Sequence, residues 1–179
     1  MPDVTVKDIL YEQIDKISEA KIHQDIAAKN YSNVINMLLD GCISKLVHTD
    51  DETIGTLAES LMHYLLTNAL IPSQRKVTIM NNEIDIVIPD SRTLLNSPKD
   101  ALVLHFVKSS NEKTLDSYLE NLGKVQPIDN NILLISKNTT KDKFRTYEIK
   151  KNSTFANILN DIDGFISSRP QSKFKIMKN

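Results

Sequence analysis

Glu83-Ile84-Asp85-Ile86-Val87-Ile88, followed by Ala101-Leu102-Val103-Leu104-His105-Phe106-Val107-Lys108, is the stretch on which the fold turns. The first run is rich in β-branched residues and stops at Pro89, which reads as a strand. The second is almost unbroken apolar sequence, as expected for a central strand covered on both faces. Residues 90–100, with their Ser, Asn, Pro and Asp, read as a loop between them. Two residues stand out. Asp85 is a carboxylate inside an apolar strand, a placement that costs free energy without a compensating partner. Lys108 closes the second strand.

Outward from this pair, Arg75 to Met80 alternates with Val77 and Ile79 on one face, and Asn81-Asn82 reads as a tight turn into the Glu83 strand. Upstream, Thr49-Asp50-Asp51-Glu52 is a helix start: a capping residue, then acids at the positive end of the dipole. That helix runs through Ile54, Leu57, Leu61, Leu65 and Leu66 and carries Glu59. Downstream, Asn111 to Lys124 reads as a helix, Ile132 to Ser136 as a buried strand, Arg145 to Ile149 as a fifth strand and Phe155 to Ser167 as a last helix. The N-terminal part reads as a helical hairpin: Val4 to Ile22, then Tyr31 to Val47 with Ser32 as its cap. Its apolar stripe extends the core or makes a dimer contact.

These elements divide the chain into an N-terminal helical extension (1–48), a core domain (49–168) and a basic tail (169–179). The core order is helix-strand-strand-strand-helix-strand. A hairpin followed by a helical crossover implies an α/β fold with a mixed sheet and helices on both faces.

Bulk properties narrow the function. Lys+Arg and Asp+Glu number 22 and 23, so the net charge of −1 argues against gripping nucleic acid mainly by charge. The distribution is uneven: residues 1–63 hold 5 Lys+Arg against 11 Asp+Glu, and residues 137–179 hold 10 against 4. Such ends attract each other, or the basic end meets phosphates. Cys42 is the only cysteine, which rules out a disulfide framework and fits a reducing compartment. It lies in an apolar helical context and reads as packing. No apolar run reaches the ~20 residues of a membrane span, and residues 1–4 show no signal sequence. A soluble, cytoplasmic protein is expected.

The element order, with Glu59 on the helix, Asp85 on the second strand and Lys108 on the third, resembles the restriction-endonuclease-like, or PD-(D/E)XK, superfamily. The resemblance covers residues 50–136 and extends toward 167. It implies a metal-dependent nuclease in which Asp85 and Glu59 hold Mg²⁺ or Mn²⁺ and Lys108 assists catalysis on DNA. The chain departs from the pattern at Phe106, which stands where a second strand acid is expected. Glu83, two residues before Asp85 and therefore on the same face roughly 6.6 Å away, is a substitute metal ligand. Asp90, in Pro89-Asp90, is another, though simpler as a turn residue. By strand alternation Lys108, Phe106 and Leu104 share a face and His105 points to the other.

The chemistry needs those residue types. A phosphodiester repels hydroxide, and carboxylate-held Mg²⁺ offsets that charge and acidifies water. An ammonium nearby stabilises charge that develops in the transition state. The alternative reading is a catalytically inactive nuclease fold kept as a nucleic-acid-binding or assembly module, with a homodimer through the N-terminal helices. Other chemistries lack support. His23, His48, His63 and His105 show no metal-ligand spacing, the four glycines form no phosphate loop, and Ser60 lacks a nucleophile setting.

Overall fold

A computed structural model of the chain describes residues 4–138 and 140–169. The basic tail expected over 169–179 lies, past its first residue, outside the described residues. The elements in chain order are α1 (Val6–Ile17), α2 (Glu19–Ala27), α3 (Tyr31–Ile43), α4 (Asp51–Asn68), β1 (Gln74–Ile79), β2 (Asn82–Ile88), α5 (Ser91–Asn96), β3 (Leu102–Phe106), α6 (Glu112–Val125), β4 (Ile132–Ser136), β5 (Arg145–Glu148) and α7 (Ile158–Ser167). The strands form one mixed sheet in the order β1-β2-β3-β4-β5. β1, β2 and β3 pair antiparallel, and β3, β4 and β5 pair parallel. The α/β architecture expected from the element order is the one observed.

Each sheet face carries a core. One face (Ile86, Ile88, Leu104, Phe106, Leu133, Ile135) packs with Leu57, Leu61 and Leu65 of α4, with α7 and with the N-terminal helices. The opposite face (Val87, Val103, Ile132, Leu134) is covered by Leu115, Leu119 and Leu122 of α6 and by Leu94 of α5. The apolar stripe of the N-terminal helices is spent inside this chain: Ile14, Ile22, Val34, Ile35, Leu38 and Leu39 are buried in the same core as α4.

Four local expectations are corrected. The Val4–Ile22 helix is two helices, broken at Ser18 with φ 87°. The break lets Ile9, Leu10 and Ile14 and then Ile22 and Ile26 follow one curved core, which a single straight rod would leave. The hairpin is thus a three-helix unit. Its last helix starts at Tyr31 after Asn30 and ends at Ile43, and Ser32 bonds Asn157 instead of capping it. Residues 90–100 contain α5, capped by Asp90, whose carboxylate accepts the Thr93 N–H at 2.7 Å. Finally, the β1–β2 turn is Met80-Asn81, both at positive φ (48° and 62°), closed by the pair Ile79↔Asn82. Positive φ at both central residues is the hairpin turn whose twist matches the strands. This displaces the turn by one residue and sets a different register. The pairs Arg75↔Ile86 and Val77↔Ile84 bracket Lys76 and Asp85, so these two face each other across the hairpin.

Candidate active site

Asp85 lies where β2 and β3 part. Their ladder runs from Ile88↔Leu102 to Ile86↔Leu104. Beyond it the Asp85 carboxylate, in place of a backbone carbonyl, accepts the Phe106 N–H at 2.9 Å through Oδ2. The same oxygen faces His105 Nδ1 at 2.9 Å, and Oδ1 accepts from Lys76 Nζ at 2.7 Å. Burial pushes the Asp85 carboxyl up, but His105, Lys76 and the Phe106 N–H outweigh it and hold the group far below the usual carboxylate range. A buried carboxylate in a strand is thus kept ionised by three donors.

Glu59 is 2% exposed on α4. Lys108 Nζ donates to its Oε2. Lys76 Nζ stands 3.1 Å and Arg75 Nε 3.3 Å from its Oε1. Burial again opposes the charge, and the Lys108 bond is the largest force keeping Glu59 below the ordinary glutamate range, against the raising effect of Asp85. The contact depends on a close approach of α4 to the chain just past β3. A Cβ at Gly55 would sit 2.8 Å from Lys108 Cγ and 2.9 Å from the Val107 carbonyl oxygen. Only glycine at that point of α4 lets Lys108 lie against the helix one turn before Glu59.

Glu59, Asp85 and Lys108, expected to act together, are therefore brought to one place from three elements. Glu83 is exposed, with Oε1 3.7 Å from Lys76 Nζ, at the rim of the same place. Asp90 is engaged in its helix cap and is not part of it. Phe106 is 1% exposed, its ring in the core beside α4 and only its backbone N–H serving Asp85.

Two participants escape the linear reading. His105, expected on the face away from Lys108, reaches Asp85 because the register that pairs Ile86 with Leu104 sets it directly opposite Asp85 on one face of the sheet, and its ring stacks on Tyr118 at 4.2 Å. The Tyr118 hydroxyl donates to the Glu83 carbonyl at 2.9 Å, tying α6 to β2. Lys76 was hidden by the register, since a turn one residue later pairs it elsewhere. It sits in β1 with φ 52°, a left-handed conformation costing a non-glycine residue roughly 1–2 kcal/mol. Its ammonium touches both buried carboxylates. Burial works against that charge, but Asp85 and Glu59 prevail and raise Lys76 above the usual lysine range.

A cleft of about 410 Å³ is lined by Lys76, Glu83, Asp85, His105, Lys108 and Tyr118 among others; Glu59 does not line it but is held by two residues that do, Lys76 and Lys108. A cleft of about 440 Å³ behind α4 holds no comparable charge cluster; its titratable lining is Lys7, Tyr11, His63, Tyr64 and Arg75. Among the described residues no three His, Cys, Asp or Glu side chains are grouped tightly enough to hold a metal ion by themselves. The pair Glu59 and Asp85 nevertheless suits a hard cation in kind: two ionised oxygen donors from different elements with a cation, the Lys76 ammonium, standing between them. Cys42 is fully buried and its thiol is pushed up to about 11 by burial, so it takes no part. His23 is engaged with Asn68 at 2.7 Å. No described helix is long and apolar enough to cross a membrane.

The mixed sheet with helices on both faces is a restriction-endonuclease-like fold. The chain is similar to a solved structure described as a restriction endonuclease PspGI-substrate DNA complex, with a TM-score of 0.58 and 12% sequence identity, over 92% of this chain and 94% of that one. The likeness includes the N-terminal helices by its extent. No protein-family model matches the chain, and no curated protein matches it in sequence.

Proposed function

We propose that the chain is a divergent nuclease of the PD-(D/E)XK kind that hydrolyses DNA phosphodiesters with Mg²⁺ or Mn²⁺. One observation carries this reading: Lys76 joins Glu59 of α4 to Asp85 of β2, and Lys108, just past β3, contacts Glu59 and lines the same cleft as Asp85. Glu59 and Asp85 are the residues that would hold the ion, with exposed Glu83 as a further oxygen donor. When bound, a divalent ion supplies charge neutralisation at the phosphate and a more acidic water. The chain's own part is positional. His105 and the Phe106 N–H fix the Asp85 carboxylate, and Gly55 admits Lys108 to the cleft, where its ammonium stabilises charge building on a phosphoryl oxygen. That the similar endonuclease is a complex with substrate DNA supports DNA as the substrate class. Purified protein incubated with duplex DNA is expected to cleave it in Mg²⁺ or Mn²⁺ and to stop in a chelator. Cleavage that persists in the chelator contradicts the reading.

A second reading is favoured by Phe106, whose buried ring leaves the third strand without a carboxylate at its family position. On it the same cleft holds DNA without cutting it, and the cations Lys76 and Lys108 that line it serve the phosphates. Metal-independent retardation of DNA in a gel, with no product under any divalent ion, selects this reading over the first.

A further inference from the structure

Among the described residues, Lys76 is the cation that touches both buried carboxylates. Its Nζ lies 2.7 Å from Asp85 Oδ1 and 3.1 Å from Glu59 Oε1, with Glu83 Oε1 at 3.7 Å. Three acids from two elements converge on that one ammonium. Lys108 and Arg75 approach Glu59 alone. The Lys76 side chain is 40% exposed and lines the cleft, so it has solvent to move into, unlike the carboxylates it bridges. Its backbone is left-handed inside a strand, which aims the side chain at the carboxylates from β1 across the hairpin.

We propose that Lys76 is the resident cation of the Glu59–Asp85 pair, and that a divalent ion and the Lys76 ammonium compete for one position. The inference rests on reading that pair as the metal-binding group. The position between the carboxylates takes one cation: the pair offers Asp85 Oδ1 and Glu59 Oε1 there, and Lys76 spans both, whereas Arg75 Nε reaches only the Glu59 oxygen, at 3.3 Å. The other two oxygens are engaged by His105 with the Phe106 N–H and by Lys108. A divalent ion therefore enters as Lys76 leaves. The group that draws Lys76 outward is an anion in the cleft, and a DNA phosphate has that chemistry. The pair is closed to the ion in the free protein and opened by the substrate's backbone.

Mn²⁺ binding measured by calorimetry without DNA tests the competition. Lys76→Met and Lys76→Gln are both expected to bind one Mn²⁺ at least tenfold more tightly than the wild type. Adding Asp85→Asn to either is expected to abolish that gain. Both single variants should fold, since Glu59 keeps Lys108 and Arg75, and Asp85 keeps His105 and the Phe106 N–H; circular dichroism checks this. Folded variants that bind Mn²⁺ no more tightly than the wild type overturn the proposal, as does a gain that survives Asp85→Asn. The outcome is separable from nuclease activity. Tighter Mn²⁺ with no DNA cleavage sinks the enzymatic reading and leaves the competition standing; cleavage with unchanged affinity does the reverse.

Discussion

Asp85 shows how a single residue ties stability to chemistry. Its carboxyl is held below its unfolded value, near 3.9, so the native state binds a proton there less readily than the unfolded chain. The resulting stabilisation is present above about pH 4 and is lost as pH falls further, toward the folded value. Urea denaturation between pH 5 and pH 2 is expected to show a steeper loss of stability in the wild type than in Asp85→Asn; equal slopes would contradict the ionised, triply bonded carboxylate. Lys108 serves both the cleft and the fold, since its bond is the largest force keeping the buried Glu59 carboxylate ionised. Lys108→Met is expected to lower DNA cleavage by roughly 10²–10³-fold, the scale of losing one charge-stabilising donor, and to lower the unfolding midpoint by leaving Glu59 with only Lys76 and Arg75; an unchanged midpoint would contradict the second effect. Asp85 was legible in the sequence because a carboxylate between isoleucines demands a partner. Lys76 and His105 were not: a lysine in an edge strand and a histidine in a central one are ordinary. What makes them matter is a one-residue choice of turn and the register of β2 on β3, neither of which has a signature in composition or spacing.

At the scale of elements, the site depends on how closely α4 approaches the end of β3. Gly55 is the point of contact, and a methyl group there would press on the Val107 carbonyl as well as on the Lys108 stem. The carbonyl is backbone and cannot swing aside. Gly55→Ala is expected to cost about 1–3 kcal/mol, the range for overpacking, despite alanine's better helix propensity, and to reduce cleavage by displacing Lys108. Chemical denaturation reads the first effect and a cleavage assay the second; a stabilised variant would mean that the two elements are less tightly apposed. The helices and strands themselves were readable where a period was sustained, as in α4, α6 and β4. The misread pieces are those where tertiary wrapping overrides local preference, such as the break at Ser18, or where a short helix hides among loop residues, as α5 does behind its Asp90 cap.

For the whole molecule, the N-terminal helices and the sheet share one apolar interior, so residues 1–48 are expected to be needed for folding and not only for any contact between copies. Deleting them would expose the faces of α4 and α7 that now meet Ile14, Val34 and Leu38. The truncated chain should lose its cooperative thermal transition and bind a hydrophobic dye; a truncated chain that melts cooperatively would show the helices to be an accessory layer. The fold as a whole was visible in the order of elements, whereas the chemistry turns on a handful of side chains within a few ångströms. The most direct trial is the rate at which duplex DNA is cut in saturating Mn²⁺ by the wild type and by Asp85→Asn, with folding of both verified. The account predicts cleavage by the wild type and a fall of at least about a hundredfold in the variant. Equal rates in the two proteins would contradict it.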